Sequence, residues 1–146
     1  MDEPRTRDQR RQDTLRRLEQ DVDAWVATAD GGVPCLVPLS FHWDGEALYL
    51  STLATNPTAT NLTANGRVRL TLGQTRDVVL IDGVATRTVP SDEVKAAFAK
   101  RTGFDPRTLK NYPYFRIVPR LVQAWREVNE IADRDVMRDG EWLPAA

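Results

Sequence analysis

Cysteine and histidine are almost missing from this sequence. Cys35 and His42 are each the only residue of their kind, which excludes an internal disulfide and leaves no ligand cluster for a structural zinc ion. Lysine is scarce too, with three against seventeen arginines, yet neither sign of charge dominates, because the net charge is −1 and the pI is near 5.8. That balance excludes an electrostatic nucleic-acid binder, which gathers a basic surplus on one face. The arginines that do cluster (Arg5, Arg7, Arg10, Arg11, Arg16 and Arg17) are interrupted by acidic residues, so residues 1–12 read as a solvated, flexible end. No apolar run approaches the length of a membrane span, and the N-terminal residues are too charged for a signal peptide. A cytoplasmic protein with no membrane partner is expected. No nucleophile with a recognisable base stands out, nor does a carboxylate pair of the kind a glycosidase uses. Any redox or transfer chemistry would come from a cofactor that the protein positions.

What is present suffices for one domain, residues 13–146, with 41% apolar residues to build a core. The organising stretch runs from Val33 to Leu72. Apolar side chains alternate at Val33, Cys35, Val37, Leu39, Phe41 and Trp43, the two-residue period of a strand with one buried face, and Cys35 is expected in the core. Asp44-Gly45 predicts a two-residue hairpin turn into a strand over Ala47 to Thr52. Asn56-Pro57 then starts a helix that Asn65-Gly66 ends. Free N–H groups and the helix dipole make the start of that helix a plausible anion site, and its first turn has no Asp or Glu of its own.

Around this stretch, Leu15 and Leu18 predict a short helix over Thr14 to Gln20, and Val22, Ala24 and Val26 predict a strand that Asp30-Gly31-Gly32 turns back as a hairpin. Pro34 and Pro38 place the second strand at an edge or a bulge. Alternation predicts further strands over Arg67 to Leu72, over Asp77 to Val89 with a bend or bulge at Gly83, and over Tyr114 to Val128 with a break at Pro119. Ser91 opens a helix to Lys100 that stops at Gly103, a helical turn begins at Asp105-Pro106, and Asp139-Gly140 predicts a last hairpin. The fold class is therefore mainly β: six or seven antiparallel strands closing into a small barrel with helices packed outside.

The segments LVPLSFHWDGEALYLST, NPTATNLTANGRVRLTLG and DVVLIDGVATR, with the tail QAWREVNEIADRDVMRDGEWL, lie in an order that resembles the pyridoxamine-phosphate-oxidase-like split β-barrel family of flavin and deazaflavin binders. The tail looks like an actinobacterial branch. The resemblance implies a homodimer with two equivalent interface sites, each taking FMN or a deazaflavin of the 8-hydroxy-5-deazaflavin type. It would place Leu39 and Ser40 beside the ring. Ser51, Thr52, Thr55 and Asn56 would meet the phosphate, with Thr58 and Asn61 on the helix behind them. Many relatives carry a lysine or arginine where Thr58 and Thr60 stand, so hydroxyls, helix N–H groups and Arg67, Arg69 or Arg76 would have to replace that cation.

Three functions follow from this reading. The leading one is a flavin- or deazaflavin-dependent oxidoreductase moving a hydride to or from a small organic substrate. A second is a non-catalytic dimer that binds a cofactor or another ligand. A third is a haem-handling split barrel, for which His42 is the only histidine available, although a lone strand histidine also suits plain packing. Trp25, Trp43, Trp125 and Trp142 fit core or interface positions, and Arg126 with Glu127 suits either an interface pair or solvent.

Overall fold

The computed structural model describes residues 1–145; Ala146, the last residue of the expected domain, lies outside them. Helix α1 (Arg7–Gln20) is capped by the Thr6 hydroxyl, which accepts from the Gln9 N–H at 3.1 Å. It begins at Arg7 rather than Thr14, because its buried stripe is not apolar throughout. Arg10, Thr14 and Leu18 follow one another at helical spacing, and all three are buried. Strands β1 (Asp23–Asp30) and β2 (Val33–Ser40) then form the expected hairpin, in register from Asp23↔Ser40 to Asp30↔Val33. Its two turn residues, Gly31 and Gly32, have φ of 61° and 79°, which only glycine adopts without strain.

The chain breaks at buried Phe41, so the long second strand of the sequence pattern is two pieces, β2 and the short β3 (His42–Trp43). The hairpin turn at Asp44-Gly45 also differs from the two-residue form. Asp44 lacks the positive φ that form demands; its carboxylate instead accepts from the N–H groups of Glu46 and Ala47, both at 2.8 Å, and spreads the turn over four residues before β4 (Leu48–Ser51). Helix α2 (Pro57–Asn65) ends at Gly66, whose φ is 69° and where a Cβ would lie 2.8 Å from the Ala85 carbonyl oxygen. Next come β5 (Arg67–Gln74), β6 (Asp77–Thr88) and α3 (Asp92–Thr102), the last capped by Ser91 and stopped by Gly103. A 3-10 turn at Pro106–Thr108 leads to β7 (Tyr114–Trp125). That strand ends three residues short of Val128, which opens the short helix α4 (Val128–Ile131), and β8 (Asp135–Arg138) and β9 (Glu141–Trp142) make the terminal hairpin.

The strands pair antiparallel in the order β2-β1-β5-β6-β7-β4-β3, with β8 added on β7 and β9 on β8. The result is mainly β, a curled half-barrel of seven strands with flanking helices. Proline 119 does not break β7; the irregularity is a bulge, where Asp82↔Leu121 is followed by Gly83↔Pro119. The inner face carries Val26, Leu50, Leu70, Ile81, Ile117 and Val122, each fully buried. A smaller cluster of Ala47, Tyr49, Phe98 and Tyr114 seats α3. Removing one such side chain to alanine costs about 2 to 5 kcal/mol. Strand β2 is the exception to this burial. Its inward residues Cys35, Val37 and Leu39 are only half-buried, so Cys35 is not a core residue.

Candidate functional site

Strand β4 is buried at every position and delivers the chain through Ser51 and Thr52 to the start of α2. Here the hydroxyls are largely spoken for within the chain. Ser51 Oγ donates to the Tyr112 carbonyl at 3.3 Å, Thr60 Oγ1 donates to the Pro57 carbonyl at 2.9 Å, and Thr58, buried, sets its Oγ1 3.7 Å from Cys35 Sγ. Asn56 turns its amide toward Thr52, donating to Oγ1 at 3.0 Å, and so does not cap the helix. Pro57 has no N–H, and the amides of Thr58 and Ala59 find no acceptor in the protein. The first turn of α2 therefore offers donors with neither a side-chain cap nor a carboxylate to meet them. Thr55 stands exposed beside it.

The same helix ties these residues to the sheet. Thr58 touches Cys35 on β2, and Asn61 Nδ2 donates to Thr28 Oγ1 on β1 at 3.1 Å. Ser51, Thr52, Asn56, Thr58 and Asn61 are thus linked through α2 and its neighbouring strands. Leu39 and Ser40 lie further along β2, four and five residues beyond Cys35, or roughly 13 to 17 Å at ~3.3 Å per residue. Leu39 packs half-buried against the core, and Ser40 Oγ donates to Asp23 at 2.7 Å. His42 is half-buried on β3, its Nδ1 enclosed without a partner; burial and the nearby Arg101 guanidinium hold its pKa below the usual histidine range. Arg126 and Glu127 are not paired with each other: Arg126 meets Asp77 at 3.2 Å, and Glu127 meets Arg76 at 3.1 Å. Among the described residues there is no cluster of three metal-ligating side chains.

Residues 12–126 match the pyridoxamine 5'-phosphate oxidase family. The chain belongs to that family. Several solved structures share the family's architecture with it. A FAD-binding protein from Mesorhizobium loti is 21% identical, with a TM-score of 0.64 over 77% of this chain and 89% of its own. An F420 reductase is 22% identical, with a TM-score of 0.60 over 72% of this chain and 91% of its own. A haem-storage protein from Vibrio cholerae is 19% identical, with a TM-score of 0.58 over 73% and 91%. At these identities the likeness is one of fold. No curated protein matches the chain.

The outer face of the sheet holds a feature that the sequence reading of this family member reached only in part. A groove of about 630 Å³ runs across β2, β1, β5, β6 and β7 between Ala27, Pro34, Val84 and the side chains of Arg67, Arg69 and Arg120. Arg67 and Arg69 drew notice as neighbours of the expected phosphate site. Arg120 did not, though the adjoining Pro119 and the facing Gly83 mark a break in pairing at that point.

Proposed function

We propose that this family member is a cytoplasmic homodimeric oxidoreductase that holds FMN or a deazaflavin of the 8-hydroxy-5-deazaflavin type and moves a hydride to or from a small organic substrate. When bound, the ring supplies the hydride chemistry. Leu39 and Ser40 would flank the ring on β2, and the terminal phosphate would sit at the start of α2 among Ser51, Thr52, Thr55, Asn56, Thr58 and Asn61. The observation that carries this reading is the pair of unmet N–H groups on Thr58 and Ala59, in a first turn with no acidic residue. An oxyanion there gains helix N–H donors and the helix dipole. The incomplete burial of Cys35, Val37 and Leu39 on the inner face of β2 supports a ring on that strand.

Dimer formation is supported by the opposite face of the same sheet. Trp25, Leu36, Val84 and Val118 are 51%, 62%, 52% and 38% exposed, and the strand register sets all four on the outside. They form two apolar pairs, Trp25 with Leu36 and Val84 with Val118, on either side of the β5 arginines, and cover of both pairs by a second copy would take them out of water. Further support comes from family neighbours described as FAD-binding and as an F420 reductase. No helix among the described residues is long and apolar enough to cross a membrane.

The test is titration of the purified protein with FMN, with the 8-hydroxy-5-deazaflavin coenzyme and with haem, followed by absorbance and by equilibrium dialysis. Saturable binding of one flavin-type ring per chain and reduction of that ring by a hydride donor support the assignment. Binding of haem alone, with a Soret band lost in His42→Ala, overturns it.

A further inference from the structure

We propose that the segment between α3 and β7 is the second wall of the phosphate site at α2: Lys110 supplies the cation that α2 lacks, and Asn111 is a positioning residue that holds the turn leading into the helix. Both roles rest on an oxyanion at the first turn of α2, as proposed above. Neither residue belongs to the sheet face that a second copy would cover. The chain from Thr52 to Asn56 carries β4 into α2, and its backbone is held from the α3–β7 side. The Ala54 N–H donates to the Asn111 carbonyl at 2.8 Å, and Ser51 Oγ donates to the Tyr112 carbonyl at 3.3 Å. Asn111 has a φ of 62°; among the described residues only Asp139, in the terminal hairpin, is another non-glycine in that region. Asparagine tolerates this left-handed backbone better than most side chains. The strain thus sits where a carbonyl is aimed at Ala54.

The segment is itself anchored. Pro106 is buried, and the Asp105 carboxylate accepts from the Arg107 N–H at 3.0 Å and from its Nε at 2.8 Å. The Tyr112 ring stands edge-on to Phe104 with centroids 5.5 Å apart, and Phe104 stands likewise to Phe98 of α3 at 6.4 Å. Arg107 is engaged with Asp105, which leaves Lys110, exposed and without an ion pair among the described residues, as the free cation of the segment. Lys110 directly precedes Asn111, so the hydrogen bond to Ala54 keeps the two Cα atoms of Lys110 and Ala54 within about 11 Å of each other. A flexible four-carbon stem is long enough to bring the ammonium onto a phosphate seated beside Thr55 and the free N–H groups of Thr58 and Ala59. There it makes the charge-assisted bond that hydroxyls cannot. The arginines considered for this task are otherwise placed: Arg69 is paired with Asp82 at 3.5 Å, Arg76 with Glu127 at 3.1 Å, and Arg67 lines the outer groove.

The purified protein and its variants are titrated at low and high salt with inorganic phosphate, followed through the amide resonances of Thr58 and Ala59, and with FMN and riboflavin by equilibrium dialysis. Lys110→Gln is expected to weaken phosphate and FMN about tenfold at low salt and by less at high salt, and to leave riboflavin, which has no phosphate, unchanged. Lys100→Gln, on α3, changes none of these. Asn111→Gly keeps the left-handed backbone, the hydrogen-exchange protection of the Ala54 N–H and the wild-type phosphate affinity, whereas Asn111→Val loses the protection and weakens phosphate. Where Asn111→Val does not fold, Asn111→Ala carries the same test. A Lys110→Gln protein that binds phosphate and FMN like Lys100→Gln overturns the assignment, as does an Asn111→Val protein with wild-type affinity. If phosphate leaves the Thr58 and Ala59 amides of the wild-type protein unmoved, the oxyanion reading of α2 fails and both roles fall with it. If those amides shift and Lys110→Gln still binds as tightly, that reading stands and the wall alone is lost.

Discussion

Arg5 and Glu130 stand 125 residues apart in sequence and share three hydrogen bonds: the carboxylate accepts from the Arg5 backbone N–H at 2.8 Å, from Nε at 3.0 Å and from Nη2 at 2.8 Å. Glu130 also accepts from the Arg126 N–H at 2.7 Å, and only 3% of it is exposed. Asp13 draws Nη1 of the same arginine to 3.0 Å. One guanidinium thus bolts the segment before α1 to α4 and the end of β7.

This clasp sets the acid limb of stability. Burial by itself would raise the Glu130 carboxyl, but the donors from Arg5 and Arg126 outweigh it and hold the pKa down from 4.5 to about 2. A carboxylate with a depressed folded pKa stabilises fully above its unfolded pKa and loses that contribution as pH falls through the folded one. Stability is therefore expected to decline by about 2 to 3 kcal/mol between pH ~4.5 and ~2 through this group. Urea melts across that range check it. Glu130→Gln should be less stable at neutral pH by about 3 kcal/mol, since it leaves the Arg5 charge buried without its partner, and its acid limb should be flatter.

Gly83→Ala should destabilise by about 1 to 3 kcal/mol, an overpacking cost. A Cβ there meets the Val118 carbonyl oxygen at 2.8 Å and Ile117 Cγ2 at 2.9 Å, and both neighbours belong to the bulged strand. Thermal unfolding is the measurement, with a fall in Tm of roughly 2 to 4 °C per kcal/mol for a chain of this size. An unchanged Tm would mean that the bulge yields freely.

The apolar outer face predicts the oligomer. Light scattering at micromolar concentration should give the mass of two chains, and Trp25→Glu or Leu36→Glu, both exposed, should give the mass of one without loss of fold. A wild-type protein that runs as a single chain would remove the dimer from the proposed function.

Thr58→Lys should pull two measurements in opposite directions. A charge-assisted bond to phosphate is worth ~1.5 to 3 kcal/mol against ~1 for a neutral hydroxyl, so FMN affinity should rise about tenfold at low salt and the gain should fade with added salt. Thr58 is buried with its hydroxyl against Cys35, so the ligand-free variant should also lose about 1 to 3 kcal/mol of stability. Unchanged FMN affinity in a folded variant would place Thr58 away from the phosphate.

Most of the sheet was legible in the sequence because its signals are local. Gly31-Gly32, Gly66, Gly103 and Gly83 each announce a turn, a helix stop or a bulge through the backbone they permit. The exceptions share a cause. Helix α1 extends back to Arg7, and Val128 leaves β7 for a helical turn, because Arg10, Asp13 and Glu130 are buried by partners far along the chain. Charged residues that a period count assigns to solvent become core when such partners exist. At the candidate site, the residue types around α2 were legible, but not the direction of their side chains. That Asn56 turns to Thr52 and Thr58 to Cys35 depends on how closely β2 approaches the helix. Arg120 was hidden for a related reason, since one sequence does not show which strand faces a bulge.

Pro34 and Pro38 occupy the same phase of β2, and the full register with β1 turns their missing donors outward. Along the free rim of the sheet, the donors of that phase come only from Leu36 and Ser40. Another chain therefore finds too few hydrogen bonds to prolong the sheet edge to edge, and its open end is closed to fibril-like stacking while the protein keeps a broad apolar surface for ordered contact.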